Sequence, residues 1–276
     1  MNKTKKPDMF RFGRNWDNYD RMYSNRGRID EAKSSLTRFL NKESLKGLSF
    51  LDIGSGSGIF SLAAFELGAT VVSFDIDNDS VLVTERVWKM AGAPSNWKVF
   101  HGSILDEKFI RSLGEFDIVY SWGVLHHTGS MWQAIKNAAS LVRQGGLLHI
   151  AIYNKSEGWG LHPDGRLFPS KFWLWEKRFY SRLPWFLQNI IDWFLMAILV
   201  LGYLITFQNP ITKIRGHIRY RGMSWRIDIK DWLGGYPYEF ASAGEIFRFV
   251  KPLSFVLENL NTNDGLLNNE FLFKKI

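Results

Sequence analysis

Apolar positions along the 276 residues repeat with two periods. Short apolar runs recur at 50–53, 70–74, 96–101, 116–120 and 147–153, each too brief for a helix, and predict strands. Between them the apolar residues take helical spacing. Ile59, Leu62, Ala63 and Leu67 form one such stripe, stopped at Gly68. A second helix is predicted over 79–91 with Asn78 or Asp79 as cap, and a third ends over 137–143 before Gly145 and Gly146. An earlier helix covers about 29–40, with Ile29, Ala32, Leu36, Phe39 and Leu40 as its apolar face. Towards the end, 231–240 reads as a turn-rich aromatic approach to a helix over 242–250, with Ser242 as cap and Glu245 at its third position. Strands at 255–260 and 270–274 follow, joined by N-T-N-D-G. Strands alternating with helices predict an α/β chain with a doubly wound, mostly parallel sheet.

The stretch 49–75 carries the strongest local signal. Its strand runs into Gly54, Gly56 and Gly58, where the backbone must take positive φ and approach a ligand closely. A dinucleotide site needs G-x-G-x-x-G, and here Ile59 stands where the third glycine belongs. Asp52, two residues before the first glycine, would repel a pyrophosphate but suits a cationic amino-acid ligand. Asp75, at the end of the next strand, can accept hydrogen bonds from ribose hydroxyls.

The pattern D-x-G-x-G-x-G resembles motif I of class I S-adenosylmethionine-dependent methyltransferases. F-D-I-V-Y-S-W-G-V-L-H-H and, after a helix, V-R-Q-G-G-L-L-H-I-A-I-Y-N resemble the region that follows that motif, most of all in the small-molecule branch with the ubiquinone-type O-methyltransferases. The likeness is firm over 45–154. It implies a Rossmann-like seven-stranded sheet with an antiparallel last strand, S-adenosylmethionine as cofactor, and methyl transfer to an O or N atom. Asp52, Gly54, Ser55, Gly56 and Gly58 would hold the methionine part, and Asp75 with Ile76 the ribose. Ser103, Ile104, Leu105 and Asp106 would meet the adenine, unless Asp106 only caps the next helix, and Ser121 and Trp122 would line the crevice. His126 or His127 is the candidate general base, with Tyr238 or Glu239 as substitutes; either histidine has the alternative of merely orienting its loop. Trp16, Arg28, Trp122, His126, Tyr236 and Glu239 are candidate acceptor contacts, and no metal is expected.

Charge and composition sharpen this picture. The chain has no cysteine, which excludes disulfides, thiolate zinc sites and a cysteine nucleophile. Its polar, basic first residues carry no signal-peptide pattern, so a cytoplasmic enzyme, free or peripheral on a membrane, is the expectation. The divisions expected are a tail and covering segment (1–44), a cofactor-binding core (45–154), a helical insertion (155–230) and the strands completing the sheet (231–276). The insertion carries twelve Lys/Arg against five Asp/Glu, nearly all of the net charge of +8. Within it, 193–207 is an uncharged apolar run whose fifteen residues fall short of the roughly 20 that span a bilayer, and Asp192 interrupts its extension. A cap over the active site, a homo-oligomer interface and an anionic membrane surface met through 171–226 compete for this run. A small or amphiphilic acceptor is the leading expectation. An RNA-directed enzyme and a non-catalytic cofactor-binding protein are the alternatives. Nucleic acid is disfavoured because Y-S-W-G stands where a base-flipping enzyme has N-P-P-Y, and Asn209-Pro210 lies far from that position.

Overall fold

A computed structural model describes residues 26–158, 168–221, 225–263 and 265–276, so Trp16 lies outside the described residues. The chain opens with α1 (Arg26–Leu40) and then alternates: β1 (Ser49–Ile53), α2 (Ile59–Glu66), β2 (Thr70–Asp75), α3 (Asn78–Met90), β3 (Trp97–His101), α4 (Glu107–Leu113), β4 (Phe116–Trp122), α5 (Met131–Ser140) and β5 (Val142–Tyr153). Helices α6 (Ser170–Tyr180), α7 (Trp185–Ile205), α8 (Pro210–Arg221) and α9 (Trp225–Gly234) follow, then α10 (Ala243–Val250), β6 (Phe255–Asn261) and β7 (Asn268–Lys275). By contact, the described residues form two units, 26–170 with 239–276, and 171–238.

The first unit is built on one seven-stranded sheet in the order β3-β2-β1-β4-β5-β7-β6. The pairs among β1 to β5 are parallel, and β7 runs antiparallel to both β5 and β6. Alternation along each strand divides the core between the two faces. Phe50 joins Leu36, Leu62, Ala63 and Val87 on the face covered by α1, α2 and α3. Leu51 and Ile53 join Ile135, Ala138, Ile246 and Val250 on the face covered by α5 and α10. The strand order reverses between β1 and β4, and the crevice beyond the carboxyl ends of those strands is where open α/β sheets bind ligands.

Three boundaries differ from the sequence expectation. The cap of α3 is Asp77, whose side chain accepts from the Asp79 amide at 3.2 Å, rather than Asn78 or Asp79. Strand β5 starts at Val142 and runs through Gly145 and Gly146, because Val142 already pairs with Phe116; the preceding helix ends at Ser140. Residues 231–234 are the last turn of α9 rather than a turn-rich approach. The expected capping box on α10 is present: Glu245 Oε2 accepts from the Ser242 amide at 2.8 Å, and Ser242 Oγ accepts from the Glu245 amide at 3.3 Å.

The second unit packs its helices around Tyr180, Met196, Trp225, Ile229 and Leu233. Its longest helix corrects the sequence reading. α7 has 21 residues, starting eight positions before the run at 193. Asp192 does not break it, because its buried carboxylate accepts the Tyr180 hydroxyl at 2.5 Å on the inner face. The Lys177 ammonium is likewise buried, 4.3 Å from the Trp232 ring centroid and 5.3 Å from that of Tyr238. Asn209-Pro210 is a helix start: Asn209 Oδ1 accepts from the Ile211 amide at 2.9 Å, and Pro210 takes the first helical position.

Candidate active site

The turn between β1 and α2 is held by backbone and side chain together. The Gly54 and Ser55 amides donate to the Phe74 carbonyl at 2.8 and 3.1 Å, tying the turn to the tip of β2. The Gly56 amide donates to Asp75 Oδ2 at 3.0 Å, and Asp75 Oδ1 accepts from the Asp77 amide at 2.8 Å. Thr84 of α3 braces the other side, with its hydroxyl 3.0 Å from Ser55 Oγ. Gly54 and Gly56 both have left-handed backbone, φ 75 and 53. A Cβ on Gly54 would lie 2.5 Å from Val124, so the loop after β4 rests directly on the turn. A Cβ on Gly56 would meet nothing closer than 3.9 Å, leaving its backbone bare. That bare, left-handed turn beside a strand-end carboxylate fits a nucleoside carrying an amino-acid group.

Asp52 lies beneath the turn. It is buried and accepts the Ser61 hydroxyl of α2 at 2.5 Å; Ser61 and Ser73 are 2.7 Å apart, and the Trp97 indole donates to Ser73 at 2.9 Å. Burial, opposed by the Ser61 hydrogen bond and assisted by the nearby Asp75, pushes its pKa up to about 7. Asp75 is pushed up to about 6, again by burial first, against the amide bonds that favour its charge. Burial thus raises both carboxyl groups that flank the turn, and a nearby cation favours the charged form of either.

Other expected residues divide by their surroundings. Ile76 is 46% exposed at the tip of β2, an apolar side chain held out to solvent. Ile104, expected on the adenine, is buried in the core cluster, and its carbonyl accepts from Asn137. Ser103 and Leu105 remain half-exposed around it, the Leu105 amide donating to Ser103 Oγ at 3.2 Å. Asp106 is the cap of α4, accepting from the Lys108 and Phe109 amides at 3.0 and 3.2 Å. Ser121 is buried, its hydroxyl donating to the Ile53 carbonyl and so joining β4 to β1. Trp122 is exposed at the end of β4.

The two histidines are not equivalent. His126 is buried, its Nδ1 accepts from the Tyr153 amide at 3.4 Å, and its ring lies 4.1 Å from that of Tyr153. Burial, then the neighbouring His127, holds its pKa well below the usual value and favours the neutral ring. His127 is half-exposed, its ring set edge-on to Tyr153 at 5.5 Å. Glu239 accepts from the Met131 amide at 3.0 and 3.2 Å, holding the start of α5, and its own amide donates to the His126 carbonyl. Tyr238 is buried beside Lys177 in the helical unit, where Tyr236 is partly buried. Arg28 is half-exposed on the first turn of α1. Two participants escaped the sequence reading, Thr84 and Glu270: neither sits in a motif, and only the packing of α3 and the register of β7 bring them to the site.

A glycine turn at the switch point, an acid beneath it and another at the next strand tip define a class I S-adenosylmethionine-dependent methyltransferase. A family model described as a methyltransferase domain matches residues 24–189, more than half of the chain, and the chain belongs to that family. The ubiquinone biosynthesis O-methyltransferase of Rhizobium rhizogenes is 30% identical over 112 residues, 41% of this chain and 44% of its own. That of Methylobacterium nodulans is 31% identical over 112 residues, 41% and 43% of the two chains. The matched stretch thus spans less than half the length of these curated relatives. Among solved structures, magnesium protoporphyrin IX methyltransferase from Synechocystis PCC 6803, with SAH bound, superposes with a TM-score of 0.54 at 15% identity, covering 96% of this chain and 98% of its own. An S-adenosylmethionine-dependent methyltransferase from Mesorhizobium loti gives 0.52 at 14%, covering 90% and 100%. At these identities the likeness is one of fold.

Proposed function

We propose that the protein transfers a methyl group from S-adenosylmethionine to an oxygen of a small or amphiphilic acceptor. The observation that carries this reading is the bare turn at Gly56, its amide fixed by Asp75. Gly54, Ser55, Gly56 and Gly58 would hold the amino-acid part of the cofactor, with Asp52 beneath as the complementary charge. Asp75, its carboxylate oriented by two amides, would accept from the ribose hydroxyls. Ile76 and Leu105 offer an apolar surface for the base, and Ser103 a hydroxyl for its polar edge. When bound, the cofactor supplies an electrophilic methyl on a sulfonium whose positive charge disappears on transfer. The protein's own tasks are therefore to position the acceptor and to take its proton. His127, half-exposed where His126 is buried and kept neutral, is the residue suited to that proton. Trp122 is assigned to the acceptor. The O-methyltransferase relatives support oxygen as the acceptor atom, and the exposed apolar surface of α7 supports an amphiphilic molecule.

Calorimetry with S-adenosylmethionine tests the cofactor site: Gly56→Val and Asp75→Asn should each lower affinity about a hundredfold or more, with NAD giving no binding heat. A tritiated-methyl assay on separated lipid, glycan, small-molecule and RNA pools tests the acceptor. His127→Gln should lower kcat by about 10²–10⁴ without changing cofactor affinity. Label confined to RNA would overturn the small-molecule reading.

A further inference from the structure

One face of α7 has no counterpart within its own unit. Ile190, Trp193, Phe194, Ile198, Leu201 and Ile205 recur at helical spacing and are all exposed, with Phe194 at 67% and Ile205 at 68%. Only 11% of the helix's most apolar stretch is buried. The opposite face, with Asp192, Met196 and Leu199, packs into the helical unit. On α6, Trp175 and Phe179 stack at 5.8 Å and are also exposed.

We infer that this outer face of α7 docks in the interfacial layer of an anionic lipid bilayer, with the helix lying along the surface. Charge selects the occupant. Exposed Arg178 and Arg182 stand just before the helix, and exposed Lys213 and Arg215 follow it on α8. The Arg226 guanidinium lies 5.2 Å from the Trp193 ring centroid, putting a cation beside the apolar face itself. A second copy docking by two-fold symmetry would set these cations against their own images, which repels; anionic headgroups neutralise them while the acyl boundary takes the apolar side chains.

The inner face decides orientation. Crossing the bilayer would carry Asp192, bonded to Tyr180, into hydrocarbon, and would pull with it the His217–Asp228 pair, 2.9 Å apart, on the packed helices α8 and α9. Lying flat, the helix buries only the face that is already bare of polar groups, and Trp193 takes the headgroup level that suits an indole. The inference does not rest on methyl transfer, and its test reads binding rather than turnover.

The full chain is sedimented with vesicles of phosphatidylcholine alone or with phosphatidylglycerol. We expect binding to the anionic vesicles at least about tenfold stronger than to neutral ones, reduced by salt, with a blue shift of tryptophan emission. Ile198→Glu/Leu201→Glu should lower it at least about tenfold while its thermal melting stays that of the native protein, since both sites are exposed. Arg182→Glu/Lys213→Glu, which leaves the apolar face intact, should lower it likewise and decides the matter if the first variant misfolds. Three results would overturn the inference: equal sedimentation with neutral vesicles, retention after alkaline carbonate extraction as for a spanning helix, or a soluble dimer by light scattering that the apolar variant converts to a monomer.

Discussion

The imidazole of His149 lies stacked on the Phe39 ring at 4.4 Å, with Tyr120 edge-on at 5.0 Å. It is buried, and neither ring nitrogen has a hydrogen-bond partner among the described residues. Burial drives its pKa down to about 3. A protonated His149 has no place in the folded state, whereas the unfolded chain takes up that proton near pH 6.5. Its stabilising contribution is therefore complete above pH 6.5 and is lost as pH falls towards 3. Urea unfolding of His149→Phe should show a shallower loss of stability on acidification, the difference from the native protein changing by up to about 1.4 kcal/mol per pH unit between pH 6 and 4.

Asp52 acts with the opposite sign. Its folded pKa of about 7 lies above the ordinary carboxylate value, so its contribution is present at low pH and is lost as pH rises through 7. Asp52→Asn, which keeps an acceptor for Ser61, should gain stability relative to the native protein between pH 4 and 7 and hold that gain at pH 8. The same variant should bind S-adenosylmethionine more weakly at pH 8, because the charge beneath the turn is gone. Thermal melts and calorimetry at pH 5 and 8 check both halves.

Trp122 and Glu270 meet across the sheet, the indole N–H donating to the carboxylate at 2.5 Å. That bond orients an otherwise exposed ring at the end of β4. Trp122→Phe, which leaves a smaller aromatic ring without the donor, and Glu270→Gln should each raise the acceptor KM by about tenfold, with the cofactor Kd changed less than about twofold. Equal losses in both constants would mean that the pair supports the fold rather than the acceptor.

Gly102 tests the packing around the third strand. A Cβ there would fall 2.3 Å from the Phe109 ring, which itself stands edge-on to Phe74 at 5.1 Å. Gly102→Ala should destabilise the protein by about 1–3 kcal/mol in urea unfolding, because the ring must leave its place against the core.

The parallel strands and the glycine turn were legible in the sequence because each rests on neighbours in the chain: a short apolar run, a break, a helical stripe. Less legible was whatever long-range packing decides. Ile104 and Ile76 are the same residue type, each just past the end of a strand, yet the first is buried and the second stands out to solvent. Asp192 read as an interruption because a lone charge in an apolar run normally ends burial; the Tyr180 hydroxyl twelve residues earlier satisfies it and lets the helix continue. His126 and His127 are adjacent in sequence, and only the loop's fold against Tyr153 separates a buried ring from an accessible one.

The place of β7 has a bearing on how the chain is made. It follows the other six strands in order, yet it sits between β5 and β6, and among the described residues β6 has no other strand neighbour. During synthesis β6 therefore leaves the ribosome without a mate, and β5 shows a bare hydrogen-bonding edge until β7 arrives to join them. For that interval the nascent domain is open to strand-mediated association, and its solubility depends on how quickly one late segment threads home.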